Sequence, residues 1–115
     1  MDYKDLDVWK MSMALSVDIY KNFADCRDYG FKDQVTRSGL SVPSNIAEGL
    51  KRLSDKETVQ FLSIARGSAA ELETQILIGR EIGYISDVKS AQWLDAIGAV
   101  QRMLTGLIKR YKNLN

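Results

Sequence analysis

Apolar residues recur three and four positions apart along most of the chain, the spacing that gathers side chains on one face of an α-helix. The pattern is interrupted near Gly30, Arg52 and Gly83. The four predicted helices span residues 6–23, 31–50, 55–82 and 87–112. Helices joined by such short connections are typical of an up-down-up-down bundle. The predicted fold is therefore all-α, an antiparallel four-helix bundle formed by a single domain over residues 1–115.

Local signals refine the ends and interiors of these helices. Ser54 followed by Glu57 three residues later is a capping box, which predicts the start of the third helix. Gly49 suits a left-handed position that closes the second helix. Gly67 lies inside the third helix, where glycine costs about 1 kcal/mol relative to alanine. We therefore expect another backbone to approach the third helix closely at Gly67.

The second helix contains the only proline of the chain, Pro43. Proline removes one amide donor from a helix, and its ring presses on the carbonyl four residues back. That residue is Gly39, which has no side chain to obstruct an adjustment. The residue before proline, Val42, also disfavours helical angles. We therefore predict that the second helix is kinked near Pro43.

The apolar stripes of the first and fourth helices are wider than one bundle seam requires. In the fourth helix, one line of apolar residues runs beside a second line. The second line is Trp93, Ala96, Val100, Met103 and Leu107. A protomer of 13.0 kDa cannot cover two stripes per helix with its own neighbouring helices. The pattern therefore predicts a homo-oligomer, in which copies of the chain cover one another.

Composition indicates an ordinary globular domain and excludes several classes of protein. Apolar residues make up 45% of the chain, charged residues 27%, and the net charge is +1. No global field therefore favours nucleic acid or membrane. Cys26 is the only cysteine, which excludes an internal disulfide and fits the reducing cytoplasm. Residues 1–10 hold three aspartates and do not resemble a signal peptide. No apolar run approaches the ~20 residues that cross a bilayer.

The residues offer little for catalysis or metal binding. Histidine, the commonest general base and metal ligand, is absent. Cys26 lacks a histidine partner that would activate it as a nucleophile. Glu48, Glu71 and Glu73 could in principle form a carboxylate metal site, but pairing with arginine is the simpler interpretation. We therefore predict no enzymatic activity, no cofactor and no metal.

A polar seam along the second and third helices has two interpretations. Its members are Arg37, Ser41, Asn45, Glu48, Arg66, Ser68 and Glu71. As structure, these groups would satisfy one another between the two helices and fix their register. As function, they would line a site for a ligand or partner. We favour the structural network. Losing one partner of a buried ion pair costs about 3–5 kcal/mol. We therefore predict that Glu48→Ala unfolds or disassembles the protein.

Basic residues concentrate at the ends of the second and fourth helices. Residues 86–115 hold five basic residues against two acidic ones. The candidate contacts for nucleic acid are Lys51, Arg52, Lys109, Arg110 and Lys112. Repeated around a ring, they would attract RNA phosphates with a steep salt dependence. The simpler interpretation is that these cations are solvated and stabilise the helix dipoles.

Several of these segments together resemble a known family. They are Tyr3-Lys4-Asp5-Leu6 with Val8-Trp9, Arg37-Ser38, Val42-Pro43-Ser44-Asn45-Ile46-Ala47-Glu48-Gly49, Phe61, and Ala65-Arg66-Gly67-Ser68 with Glu71. The chain resembles, over nearly its whole length, the bacterial four-helix bundle proteins encoded in intervening sequences of 23S ribosomal RNA genes. The resemblance implies a small four-helix protomer that assembles into a closed ring, with five copies expected, and no established enzymatic activity.

The resemblance leaves two functions open. A relative, the accessory protein of diversity-generating retroelements, is similar in fold and ring form, and it is strongly basic and binds nucleic acid. This chain differs from that relative in being nearly neutral. One hypothesis is a ring that binds RNA or other nucleic acid through the basic helix ends. The alternative is a scaffold for protein interactions with no nucleic-acid role.

Overall fold

A computed structural model describes residues 2–113, and within that range 85% of the chain is helical. The helices are α1 (Asp7–Asn22), α2 (Tyr29–Leu50), α3 (Asp55–Glu81) and α4 (Asp87–Asn113). A short 3-10 helix, Tyr3–Asp5, precedes α1. The all-α, four-helix prediction is confirmed, and the predicted ends lie within two residues of the observed ones. The predicted domain, residues 1–115, also includes Met1, Leu114 and Asn115, which lie outside the described residues.

Side-chain caps account for where two of the helices begin. The Ser54 hydroxyl accepts a hydrogen bond from the Glu57 amide at 3.2 Å, and the Ser54 hydroxyl donates to the Glu57 carboxylate at 3.1 Å. The predicted N-cap at Ser54 is thus confirmed, whereas the Glu57 carboxylate accepts from the Ser54 hydroxyl and not from its amide as a full capping box requires. Asp28 caps α2 by accepting from the Phe31 amide at 3.1 Å. Because Asp28 supplies this acceptor, α2 starts two residues before the predicted position.

The four helices form a closed circuit of neighbours. α1 packs on α2 and α4, and α3 packs on α2 and α4; among the described residues no Cα of α1 lies within 8 Å of one in α3, nor any Cα of α2 within 8 Å of one in α4. Along α2 and α3, Ser41 meets Ser68, whereas Gly49 lies against Phe61. Residue numbers therefore rise along α2 as they fall along the facing part of α3, as in a pair of antiparallel helices. The circuit of neighbours places α1 and α3 at diagonally opposite corners of the bundle.

The core is a continuous apolar cluster along the bundle axis. Its fully buried members include Ile19, Val35, Val42, Ile46, Leu62, Ile76, Ile97 and Leu104. They come from all four helices at helical spacing, as the sequence pattern predicts. Within residues 2–113, no helix has an apolar stretch long enough to span a membrane.

Two buried glycines let helices or loops approach closely. A Cβ built on Gly49 would lie 2.9 Å from the Phe61 Cβ, so only glycine allows α2 and α3 to meet there. Gly49 lies inside α2, and the only positive φ among the described residues is at Gly83, so the predicted left-handed cap at Gly49 is wrong. A Cβ on Gly79 would lie 2.5 Å from Ile85. By contrast, no atom lies within 4 Å of a Cβ built on Gly67, so the approach predicted there does not occur within the protomer.

The structure corrects the expectation for the fourth helix. Trp93 and Val100 of the second apolar line are 2% and 0% exposed, and Ala96, Met103 and Leu107 are half-buried against the core. The bundle therefore buries Trp93 and Val100 and covers part of the other three residues, because α4 lies between α1 and α3 and packs against both. α2 runs through Pro43 as one helix; the kink stays a prediction.

Candidate interaction surfaces

A small polar cluster joins α2 to α3. The hydroxyls of Ser41 and Ser68 are 2.8 Å apart, one on each helix. The Asn45 Nδ2 donates to the Ser41 carbonyl at 2.8 Å and to the Ser41 hydroxyl at 2.9 Å. These three residues of the predicted polar network thus come together. Because each side chain is short, the cluster bridges the helices without holding them apart.

The four charged residues of the predicted network do not join this cluster. Arg37 is exposed and pairs with Asp33 of its own helix at 3.4 Å, and Glu48 pairs with Arg52 one turn along α2. Arg66 and Glu71 are both exposed on α3. The prediction of a buried charged network was therefore wrong for Arg37, Glu48, Arg66 and Glu71. The physical reason is desolvation: an exposed side chain can pair within its own helix and keep its hydration.

The same geometry bears on the candidate carboxylate site. Gly49 lies level with Phe61 on the neighbouring helix. Glu71 is ten residues further along α3, about 15 Å at about 1.5 Å per residue. Glu48 and Glu71 are therefore too far apart to share one metal ion. Within residues 2–113, no group of three or more histidine, cysteine or acidic residues is placed to hold a metal.

An exposed apolar surface runs along α1. Met13, Val17 and Tyr20 lie on one side of the helix and are 39%, 44% and 45% exposed. Leu40 and Pro43 of α2 complete a groove of about 330 Å³ on one flank of this line. A second groove, of about 610 Å³, follows the other flank between α1 and α4. We call Met13, Val17, Tyr20 and Leu40 the α1 face.

A second exposed surface lies on α3. Ile64 and Ile78 are 50% and 47% exposed, and Leu77 is also exposed. Between these residues the outward positions Gly67 and Thr74 carry small side chains or none. The result is a shallow strip of apolar and small residues that is interrupted by the exposed Glu71. We call Ile64, Gly67, Thr74, Leu77 and Ile78 the α3 face. Met13, Val17 and Tyr20 follow one apolar line of the first helix in the sequence, together with Leu6 and Trp9, whereas the α3 face was not predicted.

The five basic candidates for nucleic-acid contact are exposed at one end of the bundle, where α2 and α4 end. α1 and α3 begin at the same end, so their acidic first turns lie among the cations. Asp7 and Arg110 line one groove, and Asp55 and Lys112 line another. The structure thus gathers the predicted cations but surrounds them with carboxylates.

Arg52 is the most constrained of these five cations. Its guanidinium pairs with Glu48, lies 3.9 Å from Glu57, and stacks 4.6 Å from the centre of the Phe61 ring. Lys51 lies 5.9 Å over the Tyr3 ring. Lys109, Arg110 and Lys112 remain exposed on the last turns of α4. These three residues are therefore the cations most available to an external anion.

Sequence reasoning missed a polar link between α1 and α4. The Asp18 carboxylate accepts from the Trp93 indole nitrogen at 2.7 Å and from Lys89 Nζ at 3.0 Å. These two bonds, the indole bond first, lower the pKa of Asp18 below its ordinary value. At the same end of the bundle, Tyr84 donates to Asp28 at 2.9 Å, which raises the pKa of Tyr84. The sequence pattern could not predict the contact between Asp18 and Trp93, because 75 residues separate them along the chain.

Comparison with known proteins identifies the family. The family model described as "23S rRNA-intervening sequence protein" matches residues 4–106. The chain belongs to the 23S rRNA-intervening sequence protein family. The predicted resemblance is thereby confirmed. The match includes both the polar cluster between α2 and α3 and the two exposed faces.

A solved structure of the same shape supports the fold. It is the crystal structure of a protein with unknown function from the S23 ribosomal protein family of Bacteroides thetaiotaomicron. The two chains are 24% identical, the alignment covers 89% of this chain and 98% of that chain, and the TM-score is 0.83. At this identity the likeness establishes the four-helix fold. No curated protein gives a significant match.

Proposed function

We propose that this member of the 23S rRNA-intervening sequence protein family is a non-catalytic protein that assembles with copies of itself into a closed ring. The α1 face is the observation that carries the proposal. Scattered apolar side chains are normal on a monomer, but a contiguous apolar surface between two grooves is typical of an interaction site. The family resemblance makes five the expected number of copies.

The energetics favour covering this face. Fully burying one apolar side chain contributes roughly 1.5–3 kcal/mol. Met13, Val17 and Tyr20 have already buried about half of their surface within the protomer. Covering the remainder, together with Leu40, supplies roughly 3–5 kcal/mol by the same scale. The rest of the free energy of association must come from the surface on which this face docks.

The native mass of the purified protein tests the proposal. A ring of five copies has about five times the protomer mass of 13.0 kDa. Val17→Glu places a charge in the centre of the α1 face and is expected to lower the mass toward one protomer. Val88→Glu is the matched control, because Val88 is 68% exposed outside both faces. A wild-type protein that keeps the mass of a single protomer at high concentration would contradict the proposal.

A second candidate function is binding of RNA or other nucleic acid by the assembled ring. It is favoured by the three exposed cations at the end of α4, which a ring repeats around its axis. It is opposed by the neighbouring carboxylates and by the net charge of +1. The alternative is a protein-interaction scaffold with no nucleic-acid role, which the apolar faces favour.

An electrophoretic shift of structured RNA at two salt concentrations separates these alternatives. Binding through phosphate contacts weakens steeply as salt rises. Lys109→Ala with Arg110→Ala is expected to abolish such a shift. Arg27→Ala with Arg80→Ala removes the same number of charges elsewhere and serves as the control. No shift at low salt excludes the nucleic-acid function and leaves the scaffold.

A further inference from the structure

The two apolar faces of the protomer point away from each other. α1 and α3 are at diagonally opposite corners, and among the described residues no Cα of one lies within 8 Å of a Cα of the other. The exposed side of each helix is the side turned from the bundle axis. One neighbouring copy therefore cannot cover both faces of a compact protomer that measures 46 × 21 × 21 Å. A protein that covers both faces needs a neighbour on each side.

Two exposed lysines lie on the α1 side of the protomer. Lys10 and Lys21 lie on the same line as Val17, seven residues before it and four after it, and both are exposed. Eleven residues separate the two lysines, which is about 16 Å along the helix. Asp18, on the flank of α1, is already bound by Lys89 and Trp93.

Two exposed glutamates on the α3 side lie at a matching distance, although Arg66 and Arg80 are also exposed on this helix. Glu71 and Glu81 flank Ile78, seven residues before it and three after it, and both are exposed. Ten residues separate them, about 15 Å along the helix. Glu81 has only the adjacent Arg80 as an ion-pair partner, at 3.5 Å. Within residues 2–113, Lys10, Lys21 and Glu71 form no ion pair inside the chain.

We infer that the α1 face of one copy docks on the α3 face of the next copy, with the two lysines opposite the two glutamates. The inference rests on the proposed self-assembly and states which surfaces meet. Docking α1 on α1 would set the lysines of the two copies against one another, which disfavours a two-fold dimer through this face. A head-to-tail contact between different surfaces continues from copy to copy and closes into a ring when the rotation allows.

The small residues of the α3 face fit this role. Gly67 offers open space on the outside of α3, where an added Cβ would meet nothing within 4 Å. A helix that docks there can approach α3 closely, as helices do at Gly49 within the protomer. This accounts for a glycine in mid-helix that the protomer itself does not use.

Two variants with one damaged face each provide the test. Val17→Glu places a charge in the α1 face, and Ile78→Glu places one in the α3 face. Both residues are nearly half exposed, so both variants are expected to fold, and circular dichroism checks this. Each variant alone is expected to stay near the protomer mass or form no ring. Mixed in equal amounts, they retain one intact α1 face and one intact α3 face between them. The mixture is therefore expected to form a one-to-one pair of about twice 13.0 kDa.

The other outcomes are equally specific. If Ile78→Glu alone assembles as the wild type does, the α3 face is not used and the inference is overturned. The inference is also overturned if the wild type assembles but the mixed variants do not pair. A charge exchange adds a second readout. One variant carries Lys21→Glu, and a second variant carries both Glu71→Lys and Glu81→Lys. Each variant alone should assemble less well than the wild type, and a mixture of the two should recover part of the assembly. A wild-type protein that is itself monomeric would instead refute the proposed self-assembly.

Discussion

Gly49 and Gly67 both lie inside helices, but a Cβ added at Gly49 meets α3 whereas one added at Gly67 meets open space. Alanine at either position gains helix propensity, worth up to about 1 kcal/mol relative to glycine. At Gly67 the new Cβ meets nothing within 4 Å. At Gly49 it would lie 2.9 Å from the Phe61 Cβ and 3.3 Å from the Thr58 carbonyl oxygen. Neither atom is the end of a flexible side chain, so relief requires the two helices to move apart.

The expected free energies of unfolding follow from these distances. Gly67→Ala should stabilise the protomer by about 1 kcal/mol, because only the propensity term changes. Overpacking at Gly49 costs about 1–3 kcal/mol, which outweighs the smaller propensity gain near a helix end. Separation of α2 from α3 would also stretch the 2.8 Å bond from the Thr58 hydroxyl to the Gly49 carbonyl. Gly49→Ala should therefore destabilise the protomer by about 2 kcal/mol at most, the overpacking cost less the propensity gain.

Thermal unfolding monitored by circular dichroism measures both effects. For a chain of this length, about 1 kcal/mol corresponds to a shift in Tm of about 4 °C. Both substitutions should be made in the Val17→Glu background, so that the state of assembly is the same in each sample. Equal stabilisation by the two alanines would refute the close approach of α2 and α3 at Gly49.

Three further predictions concern polar groups. The Asp18 carboxylate side chain is 40% exposed. Asp18→Asn should therefore cost about 1 kcal/mol, less than the usual contribution of a charged hydrogen bond because solvent screens the exposed carboxylate. Since the folded pKa of Asp18 lies below the ordinary value of 3.8, its contribution is present above that value and is lost as the pH falls through the folded pKa. The free energy of unfolding, followed by tryptophan fluorescence, should therefore depend less on acid pH in the variant. Ser41→Ala and Ser68→Ala should each cost about 1 kcal/mol, and urea unfolding of the double variant should show less than their sum, because the two hydroxyls share one bond. Glu48→Ala should lower the free energy of unfolding by less than about 1 kcal/mol, in contrast to the unfolding expected from the sequence. A decrease above about 3 kcal/mol in urea unfolding would instead support a buried ion pair at Glu48.

The extent of the helices could be predicted because it depends on local spacing, and three of the seven residues predicted for the polar network do come together. The N-cap at Ser54 and the three-and-four periodicity act within one or two turns, so no tertiary information is needed. Ser41, Asn45 and Ser68 could be predicted as partners because small polar residues within helices need hydrogen bonds when they are buried. The partners of Arg37 and Glu48 could not be predicted in the same way, since each has an opposite charge within its own helix as well as on other helices.

The periodic pattern alone determined that this chain forms four amphipathic helices and that its first helix carries more apolar surface than a bundle seam requires. Tertiary packing decided the rest, because neighbours in space decide which side of a helix is covered. α4 lies between α1 and α3 and buries Trp93, whereas the outer sides of α1 and α3 remain uncovered. The same packing separates two glycines that look alike in the sequence: Gly49 is enclosed by α3, and Gly67 faces outward.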